Sequence, residues 1–277
     1  MTPPRRLTRR SFIRHLGKGT LAVAVLGPMA CSDASTTTTR GTMAGVTTAT
    51  SAPTSGAATT QPPTTSSAGT EPAATTSPPA APEIAWDRVN LGGVSAYILA
   101  RNGRAVIVDT GNPGSAPEIQ ATLLEIELGW DVVDHVILTH RHPDHVGGLG
   151  EVMANAPQAI AYAGEADIAG ISSPRSIQAV GDGDEVVGLQ IIETPGHTAG
   201  HVAVYDPDGL VLVAGDALNT SSGSLTGSNP RFTADAIAAD QSVQKMAALD
   251  FEVLMVGHGD PVLSGATDQV AALAASL

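Results

Sequence analysis

Residues 139–145 read Thr-His-Arg-His-Pro-Asp-His, and this stretch decides both the fold and the chemistry that the sequence predicts. It places four imidazole or carboxylate side chains within six residues: His140, His142, Asp144 and His145. Nitrogen and oxygen donors of this kind are typical zinc ligands. A lone histidine is more often structural, but four donors this close together predict a metal site.

The local geometry of the motif separates its donors into two pairs. Pro143 disfavours helical backbone at His142, so the segment before the proline is extended. In an extended segment residues i and i+2 point to the same side, so His140 and His142 can hold one ion while Arg141 points away. Pro143 can also open a helix. The last two donors of the motif would then lie in its first turn and face a second ion.

Three further donors are scattered along the chain. Each follows an apolar, strand-like segment: His197, Asp216 and His258. Active-site residues of layered α/β folds collect in the loops that follow strands. The seven donors use five of the eight histidines in the chain. They are enough for two ions that share the Asp216 carboxylate.

Short β-rich runs mixed with helical stretches predict an α/β fold. Asn102-Gly103 predicts a hairpin turn between strands at 95–100 and 104–109. Apolar patterning predicts the remaining elements, which are strands at 135–138, 160–162, 186–193, 202–205, 210–214 and 253–256 and helices at 117–128, 233–249 and 264–277.

Residues 1–31 have the composition of an export signal. They contain six basic residues and no acidic one, followed by an apolar run from Thr20 to Ala30 that is too short to span a bilayer. Arg9-Arg10, followed by Ser-Phe-Ile, predicts a bacterial twin-arginine signal. An ordinary secretory signal with additional arginines is the alternative.

Cys31 is the only cysteine of the chain, and it closes the apolar run. Its position resembles a bacterial lipoprotein acylation site, although Pro28 stands where an aliphatic residue is usual. We therefore expect a lipid anchor on the outer side of the bacterial cytoplasmic membrane. The alternative is a plain cleavage site near Ala30.

A change of composition marks the boundary of the folded part. Residues 32–82 are almost entirely Thr, Ser, Ala, Pro and Gly, which predicts a disordered tether with a span of roughly 40 Å. Residues 83–277 then form one domain that is long enough to bury a core.

The net charge of the chain limits the kinds of partner that it can bind. Without residues 1–31, eight basic residues remain against 27 acidic ones, a net charge near −19. Such a surface repels nucleic acid and anionic lipid headgroups. We therefore expect a small-molecule substrate, no nucleic-acid partner, and membrane contact only through the lipid anchor. The sequence gives no indication of the oligomeric state.

These motifs together resemble the metallo-β-lactamase-fold hydrolase superfamily. The resemblance covers residues 83–277 and rests on five sequence features: the Val-Asp-Thr-Gly segment at Asp109, the His-x-His-x-Asp-His motif, Thr-Pro-Gly-His-Thr-Ala-Gly-His at 194–201, Gly215-Asp216 and Gly257-His258-Gly259. It implies a four-layer αβ/βα sandwich with a metal pair at one edge.

The resemblance also implies a role for each site residue. The first site would contain His140, His142 and His197, the second Asp144, His145 and His258, and Asp216 would bridge them. Asp144 and Asp216 are the expected catalytic carboxylates. Asp109 would orient ligands, and Thr139 and His201 would support neighbouring loops. The expected cofactor is two Zn²⁺, with iron or manganese as alternatives.

The expected reaction is attack of a metal-bridging hydroxide on a small ester, thioester or lactone. The ligand set is that of glyoxalase II-type thioesterases, without their C-terminal helical extension. Lactonases of the superfamily carry a tyrosine where this chain has Asn219. Two alternatives stay open. One is a persulfide dioxygenase-like enzyme with a single iron on His140, His197 and Asp216. The other is a tethered metal-binding module without catalysis.

Overall fold

The structure, a computed structural model, describes residues 84–277. The predicted leader (1–31), Cys31 and the tether (32–82) lie outside the described residues. Among residues 84–277, no helix combines the length and the apolar character that crossing a bilayer requires.

The first sheet has six strands in sequence order. Their bounds are β1 Ile84–Asn90, β2 Ser95–Arg101, β3 Arg104–Val108, β4 Val133–Leu138, β5 Ile160–Gly164 and β6 Ile177–Val180. The first three strands pair antiparallel, and β3 to β6 pair parallel. The carboxyl ends of the parallel strands therefore meet at one edge, where the 139–145 motif begins.

The second sheet has five strands in the order β13-β10-β9-β8-β7. Their bounds are β7 Glu185–Val186, β8 Leu189–Glu193, β9 Val202–Asp206, β10 Val211–Gly215 and β13 Val253–Val256. A separate hairpin is formed by β11 Leu218–Ser221 and β12 Ser224–Gly227. Because β10 and β13 are parallel, the segments after them lie side by side.

Helices cover the outer faces of both sheets. Their bounds are α1 Ala116–Glu125, α2 Pro143–Val146, α3 Leu149–Asn155, α4 Glu165–Ile168, α5 Ala236–Met246 and α6 Ala266–Ala274, with a 3₁₀ turn at Trp130–Val132. Ser115 precedes Ala116 at the start of α1, and Pro117 occupies its first turn, where a missing N–H costs no hydrogen bond.

Three apolar clusters fix the layer order. Ile119 of α1 and Val152 of α3 pack on one face of the first sheet. Leu99 and Val213 lie in the cluster between the two sheets. Val243 of α5 packs on the outer face of the second sheet. Full burial of each such side chain stabilises the fold by about 1.5–3 kcal/mol. The α/β fold that the sequence pattern predicted, and the four-layer αβ/βα sandwich that the resemblance implied, are confirmed.

The structure departs from the sequence prediction in the 186–193 segment. This segment is not one strand but parts of two, β7 and β8, separated by a tight turn at Val187 (φ 46°) and Gly188 (φ 83°). Helix α5 begins three residues later than predicted, because Asp235 caps it by accepting a hydrogen bond from the Ala238 N–H at 3.0 Å.

Candidate metal centre

The seven predicted donors meet at one edge of the sandwich. His140 follows β4, His197 follows β8, Asp216 follows β10 and His258 follows β13. The three remaining donors belong to the 139–145 motif, in which His142 is extended (φ −65°, ψ 143°) and helix α2 begins at Pro143. The structure therefore brings together every donor that the sequence selected.

His140, His142 and His197 form the first group. Their ligand atoms all lie within 4.8 Å of one another. Nε2 of His197 is 2.9 Å from Nδ1 of His142, so both nitrogens point to the same small volume. Arg141 points away from this group and pairs with Asp167, as the extended backbone of the motif predicted.

Asp144, His145 and His258 form the second group, again with ligand atoms within 4.8 Å of one another. Nε2 of His258 is 3.3 Å from Oδ2 of Asp144. His145 is fully buried, whereas the side chains of Asp144 and His258 are 38% and 37% exposed. This group is therefore the more accessible of the two.

The Asp216 carboxylate lies between the groups. Its Oδ1 is 3.2 Å from Nε2 of His145, and its Oδ2 is 3.3 Å from Nε2 of His197 and 3.2 Å from Nε2 of His258. Burial alone would raise the pKa of this carboxyl, but His145 and His258 hold it well below its ordinary value. An ionised carboxylate in this position can contact an ion in either group.

Three buried donor atoms of the centre make no hydrogen bond of good geometry with the described residues: His140 Nε2, His145 Nε2 and Asp216 Oδ1, although the last two lie 3.2 Å apart. Buried polar atoms are nearly always hydrogen-bonded. Nitrogen and carboxylate donors left in this state fit a metal ion, since coordination would satisfy them together. The residues present therefore fit the metal that the sequence predicted.

Asp109 and Thr139 set the orientation of two of these imidazoles. The Nδ1–H of His145 donates to Oδ2 of Asp109 at 2.7 Å, since a carboxylate can only accept. The Thr139 hydroxyl donates to the same oxygen at 2.7 Å, so its own oxygen accepts from Nδ1 of His140 at 3.1 Å. In the neutral ring, the form that binds metal, each of these histidines therefore has its lone pair on Nε2, the atom that faces the centre.

Ser228 orients the imidazole of His197 in the same way, and the sequence analysis did not identify this serine. Its hydroxyl donates to the backbone carbonyl of Asp216 at 2.8 Å and accepts from Nδ1 of His197 at 2.9 Å. His258 is held by backbone, because its Nδ1–H donates to the Gly93 carbonyl at 2.6 Å. Four of the five candidate histidine ligands thus have a fixed tautomer with Nε2 directed inward.

His201 positions the Asp216 carboxylate through the backbone. Its Nε2 accepts from the Asp216 N–H at 3.1 Å, so its Nδ1–H must donate to Oγ1 of Thr194 at 2.7 Å. Burial lowers the pKa of His201 to about 3, which keeps the ring neutral. His201 therefore supports the loop that carries Asp216, through a hydrogen bond to the backbone of that residue.

Asp167 is the second residue that sequence reasoning missed. It is completely buried. One of its oxygens accepts from the Arg141 backbone N–H at 3.0 Å and from the Thr198 hydroxyl at 2.5 Å. The other accepts from the Arg141 guanidinium at 2.7 Å and from the Gly200 N–H at 3.0 Å. Asp167 therefore ties the loop of the first motif to the loop that carries His197.

The electrostatics of the second group favour a cation. Burial alone would lower the pKa of His145, but the carboxylates of Asp109 and Asp216 raise it to about 10. The carboxylates of Asp144 and Asp216 likewise raise the pKa of His258 to about 10. Carboxylates that stabilise a proton on these imidazoles also stabilise a metal ion bound to them.

Gly257 allows the backbone to lie close to two donors of the centre. A Cβ added at this residue would lie 2.0 Å from Oδ1 of Asp216 and 2.9 Å from Cε1 of His145. Only a residue without a side chain allows the backbone to approach these two donors so closely. The glycine that precedes His258 is therefore required by packing against the centre.

A cavity of about 870 Å³ opens beside the centre. Its walls are the β11–β12 hairpin, the loop after that hairpin and the beginning of α5. Four of the seven donors line it, namely His142, Asp144, Asp216 and His258. A small molecule in this cavity would reach both groups of donors.

The family model described as the metallo-beta-lactamase superfamily matches residues 89–258, a range that contains all seven donors. The chain belongs to the metallo-beta-lactamase superfamily. This assignment confirms the resemblance that the sequence motifs carried, and metal binding is general to this fold.

Curated relatives of the chain are named as hydroxyacylglutathione hydrolases and as a thioesterase. A hydroxyacylglutathione hydrolase of Klebsiella pneumoniae is 34% identical over 165 residues, which are 57% of this chain and 59% of that protein. Thioesterase pkgB of Emericella nidulans is 27% identical over 181 residues, 64% of this chain and 48% of that protein. The chain thus spans about half the length of the curated relatives it matches.

Solved structures of metallo-beta-lactamase superfamily proteins are also similar to this chain. The family protein TTHA1429 of Thermus thermophilus has a TM-score of 0.54 and 26% identity, over 66% of this chain and 74% of that one. TTHA1623, solved in a di-iron-bound form, has a TM-score of 0.51 and 26% identity, over 61% and 88%. The metallo-beta-lactamase SMB-1, at 19% identity and a TM-score of 0.54 over 68% and 90%, supports the fold alone.

Proposed function

We propose that the protein is a binuclear metal-dependent hydrolase that cleaves a small thioester, with esters and lactones as related substrates. The observation that carries the proposal is the Asp216 carboxylate, which has one oxygen 3.2 Å from Nε2 of His145 and the other 3.3 Å from Nε2 of His197. The names of the curated relatives favour the thioester among the three substrate classes.

In this proposal His140, His142 and His197 hold one Zn²⁺, and Asp144, His145 and His258 hold the other. When bound, a zinc pair supplies hydroxide at neutral pH and polarises a carbonyl oxygen. The thioester C–S bond is then broken and a C–O bond is formed with water, which yields a carboxylic acid and a thiol.

The two carboxylates of the centre differ in their access to the substrate. The side chain of Asp144 is 38% exposed, whereas that of Asp216 is 7% exposed. Asp144 is therefore the carboxylate that can exchange a proton with a substrate in the cavity. Asp216 is confined between the histidines, where it holds the two halves of the centre together.

A three-ligand iron site of the persulfide dioxygenase type would use His140, His197 and Asp216 only. It would leave His145 and its hydrogen bond to Asp109 without a role. The binuclear proposal uses all seven donors. Iron remains an alternative metal for the same seven donors, since a similar protein was solved with two irons.

The proposal is tested with the full chain loaded with zinc, iron or manganese and assayed on matched acyl thioesters, oxygen esters and lactones. We expect thioester turnover that is lost on chelation and restored by the metal. Turnover that survives complete metal removal, or persulfide oxidation without thioester hydrolysis, would overturn it.

We further propose that residues 1–31 direct export of the folded enzyme and that Cys31 carries a lipid anchor. Replacement of Arg9 and Arg10 by lysine should retain the protein in the cytoplasm. Replacement of Cys31 by alanine should release it from the membrane fraction. Unchanged fractionation of both variants would contradict this proposal.

A further inference from the structure

The walls of the cavity beside the metal centre are largely uncharged. Beyond the donors, all but one of its polar side chains are hydroxyls or amides, among them Thr220, Ser221, Thr226 and Asn229. Phe232 supplies an apolar surface. These groups can form hydrogen bonds with an uncharged substrate and pack against its aliphatic parts.

No lysine or arginine side chain is among the lining residues described for this cavity. Apart from the metal-centre donors, the one charged side chain in the wall is Asp240, which is exposed on helix α5. An anionic group of a ligand would therefore lie near a carboxylate, with hydroxyls and amides as its hydrogen-bonding partners.

Most lysine and arginine side chains among residues 84–277 are bound to protein groups outside the cavity. Five of its seven Lys and Arg side chains form ion pairs, which are Arg88–Asp260, Arg101–Asp206, Arg104–Asp134, Arg141–Asp167 and Lys245–Asp182. A sixth, Arg175, donates to the backbone carbonyls of Met153, Ala156 and Pro157. These six are held in place by protein partners.

Arg231 is the seventh cation. It lies between the cavity-lining residues Pro230 and Phe232, and its guanidinium carbon is 5.4 Å from the centre of the Phe232 ring. Its side chain is exposed and is not part of the cavity wall. Arg231 is therefore the one described cation that could reach an anionic ligand at the entrance.

From this distribution of charge we infer that the substrate is uncharged in the groups that fill the cavity: an acyl thioester of a neutral, amide-bearing thiol. This inference rests on the proposed thioester hydrolysis. The proposed substrates differ from the glutathione thioesters that the names of the protein's relatives indicate, because glutathione carries two carboxylates. A carboxylate that enters the cavity away from the metal centre loses hydration and finds no lysine or arginine in the wall to replace it.

The experiment compares neutral with anionic substrates in two pairs, of which the second is closely matched in size. The full chain with bound metal is assayed on S-lactoyl-N-acetylcysteamine against S-lactoylglutathione, and on butanoyl against succinyl N-acetylcysteamine. The first pair changes the charge of the thiol, and the second changes the charge of the acyl group. We expect kcat/KM at least tenfold higher for the uncharged member of each pair.

Two charge variants connect this preference to the cavity. Asp240→Lys places a cation in the wall and should reduce the discrimination against both anionic substrates. The matched control is Asp131→Lys, which makes the same change of net charge in the 3₁₀ turn before β4, at the opposite end of that strand from His140. The control should leave the discrimination unchanged.

A binding measurement separates failure of this inference from failure of the proposed function. Calorimetry compares the non-hydrolysable thioethers S-hexyl-N-acetylcysteamine and S-hexylglutathione on the same protein. Tighter binding of the neutral thioether supports the inference even if no thioester is hydrolysed, an outcome that would overturn only the proposed reaction. Preference for the glutathione derivative, lost in Arg231→Ala, would overturn the inference and leave thioester hydrolysis standing.

Discussion

Oδ2 of Asp109 lies 2.7 Å from Nδ1 of His145, and both side chains are buried. The backbone of Asp109 is in the left-handed region (φ 63°), which non-glycine residues seldom adopt. Strained backbone of this kind persists where the surrounding structure requires it. The residue that directly follows β3 thus supplies the carboxylate that orients a candidate metal ligand.

Asp109→Asn should weaken metal binding without unfolding the domain. The amide can still accept a hydrogen bond, but it loses the charge that stabilises a cation on His145. We expect metal affinity to fall about 10- to 100-fold, measured by competition with a chromophoric chelator. Asp134→Asn is the control, because Asp134 pairs with the exposed Arg104 away from the centre. Equal losses in both variants would contradict the assigned role.

Ser228→Ala should affect the first group of donors selectively. It removes the acceptor for Nδ1 of His197 and a donor to the Asp216 carbonyl. We expect the affinity for one of two bound metal ions to fall about tenfold, so that this ion dissociates at a higher free-metal concentration than in the parent protein. Ser221→Ala, in the same cavity wall, is the control and should titrate like the parent. Unchanged affinity in Ser228→Ala would show that Ser228 does not orient His197.

Asp167→Asn should lower the free energy of unfolding of the metal-free protein. Asp167 is completely buried and accepts four hydrogen bonds, two of them from Arg141. Because Arg141 is partly exposed, we expect a loss of about 2 kcal/mol in urea denaturation rather than the full cost of a buried ion pair. Asp182→Asn, which breaks the exposed pair with Lys245, should cost less than about 1 kcal/mol. Equal losses of unfolding free energy in the two variants would show that burial of Asp167 adds nothing to its contribution.

Gly257→Ala should abolish metal binding by the second group, because its Cβ would lie 2.0 Å from Oδ1 of Asp216. The neighbouring atoms are buried donors that cannot move without leaving the centre. Gly150→Ala in helix α3 is the control, since its Cβ would meet nothing within 4 Å. Metal content by elemental analysis distinguishes the two variants. Full metal content in Gly257→Ala would show that the centre is more open than the structure indicates.

The sequence was sufficient for the features that local rules determine. Pro143 fixes both the extended backbone at His142 and the start of a helix, and Asn102-Gly103 fixes a hairpin. The donors after β8, β10 and β13 could be selected because metal ligands are restricted to a few residue types. Their convergence followed from the strands ending at one edge.

The remaining features depend on contacts between distant segments. Ser228 lies in a run of small polar residues, so nothing local distinguishes it from any loop serine. Asp167 acts on Arg141 and Gly200, which are 26 and 33 residues away. The turn between β7 and β8 was missed because Val187 is β-branched and rarely adopts positive φ. The β11–β12 hairpin was missed because it has few apolar residues to alternate.

Metal quantitation on the purified full chain, followed through a titration with zinc, tests the central claim most directly. The proposed binuclear centre predicts two tightly bound ions per chain, and turnover of a neutral thioester that rises with metal occupancy. Asp216→Ala should bind at most one ion tightly and lose turnover. Full activity with a single ion per chain, or two ions and unchanged turnover in Asp216→Ala, would contradict the shared-carboxylate centre.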